Sequence, residues 1–135
     1  MVLVDTNVMI DILADDAVWF DWSFGQLERA LRSGPVLIND VIYAEASIRY
    51  RTIEQFEFAI AKTGVVLAAV PKDALFVAGK AFTQYRRAGG TRTGVLPDFF
   101  IGAHAEAARL PLLTRDPRRY RNYFPTVLLI APNAN

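Results

Sequence analysis

The chain has 135 residues, a length typical of one domain, with a hydrophobic fraction of 53% and a formal net charge of +1. It contains no cysteine, which excludes disulfide bonds, thiolate nucleophiles and cysteine-ligated zinc. No apolar run approaches the ~20 residues that span a membrane, and the N-terminus lacks a signal-peptide pattern. We therefore expect a single domain over residues 1–135, with no membrane association, in the reducing cytoplasm.

Short apolar runs alternate with longer segments of helical periodicity, which is typical of an α/β fold with a mostly parallel sheet. Five strands are predicted, at residues 2–4, 36–38, 65–68, 112–114 and 127–130. Six helices are predicted, at residues 7–13, 18–32, 40–50, 53–63, 72–88 and 97–108. The glycine-rich segment 89–96 is predicted to be a mobile loop.

The helix at 18–32 carries two apolar stripes. One stripe follows helical spacing and is predicted to enter the core; it consists of Phe20, Phe24, Leu27 and Leu31. Trp19 and Trp22 project off that face. They could pack in the core or, beside three nearby aspartates, form a surface for a partner.

Charge is unevenly distributed along the chain. Residues 1–85 hold seven basic and eleven acidic residues, a net charge of −4, whereas residues 86–121 hold eight basic and three acidic residues, a net charge of +5. All eight basic residues of the second segment are arginines, whose planar guanidinium suits phosphate. The segment could be a phosphate-binding surface or simply a solvated face.

Acidic residues follow two of the predicted strands. Asp5 comes directly after the strand at 2–4, and Asp116 follows the strand at 112–114. Because parallel strands end at the same edge of a sheet, both carboxylates are expected at the edge where open α/β sheets bind ligands. Each could instead be structural, Asp5 as a helix N-cap and Asp116 as a turn residue. Asn7 can also cap that helix, which would leave Asp5 for another role.

Two further acids lie on predicted helices. Glu45 could form an ion pair with Arg49 one turn later, and Asp98 follows Pro97 at a helix start, where such residues are favoured for structural reasons. Considered together, the four acids favour a common site, because crowded carboxylates repel unless a cation neutralises them. Oxygen ligands without cysteine or paired histidines favour Mg²⁺ or Mn²⁺ over zinc.

The sequence lacks the characteristic residues of other catalytic and nucleotide-binding sites. His104, the only histidine, lies six residues after Asp98 and off its helical face, so a structural role is predicted. The chain has no Gly-x-Ser-x-Gly nucleophile motif and no glycine-rich phosphate loop.

An ordered series of motifs spans nearly the whole chain. In chain order they are Val4-Asp5-Thr6-Asn7-Val8, Tyr43-Ala44-Glu45, Tyr85-Arg86-Arg87-Ala88-Gly89-Gly90, Leu96-Pro97-Asp98-Phe99-Phe100-Ile101-Gly102-Ala103-His104-Ala105, Leu113-Thr114-Arg115-Asp116, Arg119-Tyr120, Tyr123-Phe124-Pro125 and Ile130-Ala131-Pro132. This series resembles the PIN domain, specifically the VapC-type toxins of type II toxin–antitoxin pairs.

The resemblance implies a three-layer α/β/α fold around a mostly parallel five-stranded sheet and a Mg²⁺- or Mn²⁺-dependent ribonuclease activity. The implied catalytic residues are Asp5, Glu45, Asp98 and Asp116, of which Asp5, Asp98 and Asp116 are the implied metal ligands. The implied supporting residues are Thr6 and Thr114. The resemblance also implies a homodimer and a VapB-like antitoxin that blocks the site.

On this hypothesis, the site hydrolyses RNA with a water activated by the bound metal. Arginines would neutralise the flanking phosphates, namely Arg86, Arg87, Arg92, Arg115, Arg118, Arg119 and Arg121. Two alternatives are a PIN-type nuclease of routine RNA processing without a dedicated antitoxin, and a non-catalytic module that binds RNA or protein.

Overall fold

The computed structural model describes residues 1–92 and 94–132. Its strands are β1 (Val2–Val4), β2 (Val36–Ile38), β3 (Val66–Leu67), β4 (Leu112–Leu113) and β5 (Leu129–Ile130). Its helices are α1 (Thr6–Leu13), α2 (Phe20–Ser33), α3 (Asp40–Ser47), α4 (Ile53–Ala61), α5 (Lys72–Arg87), α6 (Leu96–Ala108) and α7 (Arg118–Tyr123). Thr93, within the predicted loop at 89–96, lies outside the described residues.

The five strands form one sheet in the order β3-β2-β1-β4-β5, and every neighbouring pair is parallel. The predicted α/β fold around a parallel five-stranded sheet is therefore confirmed. Right-handed crossovers place α1 to α4 on one face and α5 to α7 on the other. The chain leaves β1 towards β2 but enters β4 on the opposite side, so a topological switch point lies between β1 and β4.

The central strands and α6 form the core. Strand β1 is buried on both faces, as expected of a parallel strand covered by helices on each side. Helix α6 is buried over most of its length, including Phe99, Ile101 and Ala103. The carboxyl-terminal edge of the sheet therefore rests on a tightly packed core.

Two sequence-based predictions differ from the structure. Helix α7 was not predicted, because six residues rich in arginine and tyrosine carry no apolar periodicity. The proposed core stripe on α2 was wrong in part: Leu27 is buried, but Phe24 and Leu31 are 39% and 37% exposed. These two side chains line a groove opposite Phe58 of α4 instead.

None of the helices in residues 1–92 and 94–132 combines the length and apolarity needed to cross a bilayer.

Candidate active site

The candidate site lies at the carboxyl ends of β1 and β4, at the switch point. Asp5 directly follows β1, and its backbone N–H donates to the carbonyl of Leu113 at 2.8 Å. This bond continues the ladder between the two strands and fixes the Asp5 backbone beside Thr114, the residue that follows β4. The sheet register therefore sets the position of both residues.

The carboxylate of Asp5 is buried and hydrogen-bonded through both oxygens. Its Oδ1 accepts the backbone N–H of Thr6 at 2.7 Å, which caps α1. Its Oδ2 accepts the hydroxyls of Thr114 at 2.7 Å and Tyr120 at 2.9 Å. The expectation that Asn7 could serve as the cap was wrong, because its Oδ1 accepts the N–H of Arg115 at 3.1 Å.

Glu45 reaches the site from α3. Its Oε1 accepts the hydroxyl of Thr6 at 2.6 Å, and no ion pair with Arg49 occurs among the described residues. The predicted supporting threonines thus contact different acids, Thr6 holding Glu45 and Thr114 holding Asp5.

Asp98 and Asp116 approach from the other side of the site. Asp98 lies in the first turn of α6, and its Oδ2 accepts a hydrogen bond from the guanidinium of Arg119 on α7. Asp116 follows β4; its backbone N–H donates to the Thr114 hydroxyl oxygen at 3.1 Å, while its side chain is exposed.

All four predicted acids line one cavity of about 230 Å³, which we call the acidic cavity. Its full lining is Asp5, Thr6, Asn7, Ile10, Glu45, Asp98, Asp116, Arg119 and Tyr120. Within the described residues, no three His, Cys, Asp or Glu side chains are grouped closely enough to hold a metal ion as they stand. The four carboxylates share a cavity without converging on one point.

Burial and mutual repulsion disfavour ionised carboxylates in the acidic cavity. Burial raises the pKa of Asp5 to about 7, and the charge of Asp98 adds to this rise, while the hydroxyl of Thr114 opposes it. Burial likewise raises the pKa of Glu45 and of Asp98. The hydrogen bond and the charge of Arg119 partly offset the rise for Asp98.

These residues fit a divalent cation of the Mg²⁺ type. The available donors are carboxylate oxygens and hydroxyls, which a hard cation prefers, and a cation would relieve the repulsion that raises the pKa values. Arg119 already supplies one positive charge at Asp98.

The PIN domain family model matches residues 2–125. The chain belongs to the PIN domain family. PIN domains are nucleases that generally use a divalent metal ion, in agreement with the carboxylate-lined cavity. A comparison with curated proteins finds no match.

Solved structures share this PIN fold over nearly their whole length. VapBC2 from Rickettsia felis, bound to a DNA fragment from its promoter, has a TM-score of 0.75 at 17% identity, covering 98% of this chain and 100% of that chain. VapBC-1 from nontypeable Haemophilus influenzae has a TM-score of 0.70 at 15% identity, with 97% and 98% covered. A toxin–antitoxin complex from Klebsiella pneumoniae has a TM-score of 0.59 at 21% identity, with 95% and 96% covered. At these identities the likeness establishes the shared fold.

The predicted phosphate-binding arginines of this PIN domain fall into three groups. Arg92, Arg118 and Arg119 line a second cavity beside the acidic one. Arg86 and Arg87, in the last turn of α5, and Arg121 on α7 are exposed and line neither cavity.

Arg115 has a different environment from the one predicted. Its guanidinium donates to both carboxylate oxygens of the buried Asp11, at 2.8 and 3.0 Å, and lies 5.2 Å from the Trp19 ring centre. The Ser23 hydroxyl donates to the same carboxylate at 2.7 Å. Arg115 therefore links the residues that follow β4 to α1 and α2, and its guanidinium is already hydrogen-bonded to Asp11.

Sequence reasoning assigned no role to Tyr120, although it donates to Asp5 and lines the acidic cavity. Tyr120 is buried on α7, the helix that was not predicted. A tyrosine directly after a pair of arginines carries no local signal for such a role. Only the docking of α7 against the sheet edge brings the hydroxyl to Asp5.

Proposed function

We propose that this PIN domain, acting as one unit over residues 1–135 in the cytoplasm, is a Mg²⁺- or Mn²⁺-dependent endoribonuclease. The observation that carries the proposal is the gathering of Asp5, Glu45, Asp98 and Asp116 around one cavity at the switch point of the sheet. These carboxylates come from four separate parts of the chain, and a purely structural role would not require them to share a cavity.

Asp5, Asp98 and Asp116 would hold the ion. A bound Mg²⁺ or Mn²⁺ supplies Lewis-acid stabilisation of the negative charge that develops at the phosphate and helps to ionise a water. Thr114 and Tyr120 orient the Asp5 carboxylate, and Thr6 orients Glu45.

Hydrolysis of the phosphodiester then requires proton transfers that the cavity residues can serve. The attacking water would form the new P–O bond and release a proton, and the bond to the departing ribose oxygen would break as that oxygen takes a proton from solvent. Glu45 is half-buried and its pKa is raised, so its carboxylate is a stronger base than a solvated glutamate and is placed to take the water proton. Arg119, which bonds to Asp98 and lines the same cavity, would neutralise charge on the substrate phosphate.

The substitution Asp98→Asn tests the site assignment. It removes a ligand charge while retaining the side-chain shape, so we expect at least a hundredfold loss of Mg²⁺-dependent RNA cleavage with an unchanged circular dichroism spectrum. Asp21→Asn, which changes an exposed acid on α2, is the matched control and should cleave as the parent does. Cleavage by the Asp98→Asn protein at the parent rate would show that the site is wrongly assigned.

We further propose that the enzyme is the toxin of a type II pair with a VapB-like antitoxin, and that it forms a homodimer. The fold is shared with chains of VapBC complexes over nearly the whole length. The groove between α2 and α4, of about 490 Å³, is lined by Phe24, Leu31 and Phe58, which are exposed in the single chain. An apolar segment of such an antitoxin would cover these side chains.

Controlled expression tests the toxin assignment. Induction of the parent should arrest growth, induction of the Asp98→Asn variant should not, and co-expression with the protein encoded immediately upstream should restore growth. Normal growth with abundant soluble parent protein that cleaves RNA in vitro would instead indicate a nuclease of routine RNA processing.

A further inference from the structure

A second cavity of about 400 Å³ adjoins the acidic cavity; we call it the arginine cavity. It is lined by Tyr85, Arg92, Asp116, Arg118, Arg119, Asn122 and Tyr123. Asp116 and Arg119 line both cavities. A chain-like substrate whose phosphate enters the acidic cavity therefore continues directly into the arginine cavity.

The arginine cavity is strongly cationic, and although Arg119 is bonded to Asp98, the charges of Arg92 and Arg118 are only loosely engaged. Three arginines face a single acid, Asp116. The side chain of Arg118 is 89% exposed, and its Nε lies 4.0 Å from Asp116, a separation at which an exposed ion pair stabilises little. Arg92 forms no ion pair within the described part of the chain. Such guanidinium groups are available for bidentate bonds to a phosphate.

The wall of the arginine cavity is aromatic and rigid. The rings of Tyr85 and Tyr123 lie 6.3 Å apart, and each packs against the buried Phe99 at 5.6 and 5.1 Å. The Tyr85 hydroxyl accepts the backbone N–H of Arg92 at 3.1 Å, which fixes the backbone from which that arginine projects. Aromatic rings beside cationic side chains are the combination that binds single-stranded nucleic acid.

We propose that the arginine cavity binds one nucleotide of single-stranded RNA, next to the phosphate that is cut. Arg92 and Arg118 bind the phosphate of this nucleotide, and Asn122 and the Tyr123 ring contact its base. The single-stranded form is favoured because a base can enter a cavity of this size only when it is unpaired and turned out of a helix. This inference rests on the proposed ribonuclease function, since the acidic cavity must hold the adjoining phosphate.

Two exposed arginines of α7 provide a matched test, because Arg118 lines the cavity whereas Arg121 does not. The probe is a fluorescein-labelled eight-nucleotide single-stranded RNA, measured by fluorescence anisotropy in EDTA so that it is not cut. We expect Arg118→Gln to weaken binding about tenfold, the effect of losing a charged hydrogen bond. The slope of log affinity against log salt should fall by about 0.7, the value for one phosphate contact on a single strand. Arg121→Gln should bind within about twofold of the parent protein.

Equal weakening by Arg118→Gln and Arg121→Gln would overturn the proposal, because it would show a general effect of charge. The base contact is tested with Asn122→Ala, an exposed position, and with oligo(A), oligo(C), oligo(G) and oligo(U) of the same length. The parent should discriminate among these four probes and the variant should discriminate less; unchanged discrimination would remove Asn122 from the site.

Two further outcomes separate this proposal from the ribonuclease function. If poly-glutamate displaced the RNA and its own binding depended on Arg118, the cavity would be assigned to an acidic peptide instead. If the parent bound no RNA, the subsite would be excluded, whereas cleavage of longer RNA by the parent and its loss in Asp98→Asn would leave the ribonuclease function intact.

Discussion

At the scale of single residues, Asp5 both caps α1 and lines the acidic cavity. One carboxylate oxygen caps α1 while the other accepts two hydroxyls beside the cavity. The sequence alone presents helix capping and a role in the site as alternatives for Asp5, with Asn7 as a second candidate for the cap. The structure gives Asn7 a separate task, which is to hold the backbone of Arg115.

The role of Tyr120 in the site can be tested with a single conservative substitution. Tyr120→Phe keeps the buried ring and removes only the hydroxyl that donates to Asp5. Because groups that orient a metal ligand typically contribute 10- to 100-fold to metal affinity or activity, we expect Mn²⁺ binding to weaken by about that range. The free energy of unfolding should fall by only about 1 kcal/mol, the net value of one hydrogen bond.

The measurement is Mn²⁺ titration followed by electron paramagnetic resonance, with urea unfolding of the same samples. Tyr50→Phe is the matched control, because Tyr50 packs in the protein against Phe56 but lies outside the acidic cavity. Parent-like Mn²⁺ affinity in Tyr120→Phe would show that the hydroxyl does not orient Asp5 for the ion.

At the scale of secondary structure elements, α7 contributes most to the lining of the two cavities, yet the sequence does not predict it. It supplies Arg119 and Tyr120 to the acidic cavity and Tyr123 to the arginine cavity. Helix α7 stays in place because Phe124, which directly follows it, packs against α6. A Cβ atom at Gly102 would lie 2.3 Å from the Phe124 ring, so only glycine permits this approach.

Gly102→Ala should therefore destabilise the protein by about 1–3 kcal/mol through overpacking. Gly25→Ala is the matched control, because a Cβ at Gly25 meets nothing within 4 Å. This second change should stabilise the protein by about 0.5–1 kcal/mol, since alanine favours the helix interior. Urea unfolding measures both, and a stabilising effect of Gly102→Ala would show that α6 and Phe124 are not in close contact.

At the scale of the whole molecule, the sheet order assembles the site. Asp5 and Asp116 follow neighbouring parallel strands, and the helices α3 and α6 bring Glu45 and Asp98 to the same cavity. The carboxylates thus lie close together in the folded chain and far apart in the unfolded one. Their ionisation is therefore coupled to the stability of the fold.

The pH dependence of stability follows from this coupling. Burial raises the pKa of Asp5 from its ordinary value of 3.8 to about 7, so folding favours the protonated acid. The resulting stabilisation is fully present below the unfolded pKa and is lost as the pH rises through about 7. The raised pKa values of Glu45 and Asp98 act in the same direction.

A divalent ion binds the ionised carboxylates and should reverse this loss. We therefore expect Mn²⁺ to raise the melting temperature more at about pH 8 than at about pH 5.5, relative to EDTA. Differential scanning fluorimetry measures this, and Asp5→Asn should reduce the difference. An equal increase at the two pH values would contradict the assignment of Asp5 as an ionisable ligand.

The sequence by itself determined the parallel α/β class and the approximate strand positions, because buried strands and helices leave periodic patterns that depend only on neighbouring residues. It also indicated the family through an ordered series of motifs. The tertiary structure alone decided which side chains meet: Tyr120 with Asp5, Arg119 with Asp98, and Arg115 with Asp11. These contacts join residues that are 21 to 115 positions apart, so they depend on the docking of α7 and the register of the sheet, which no local pattern records.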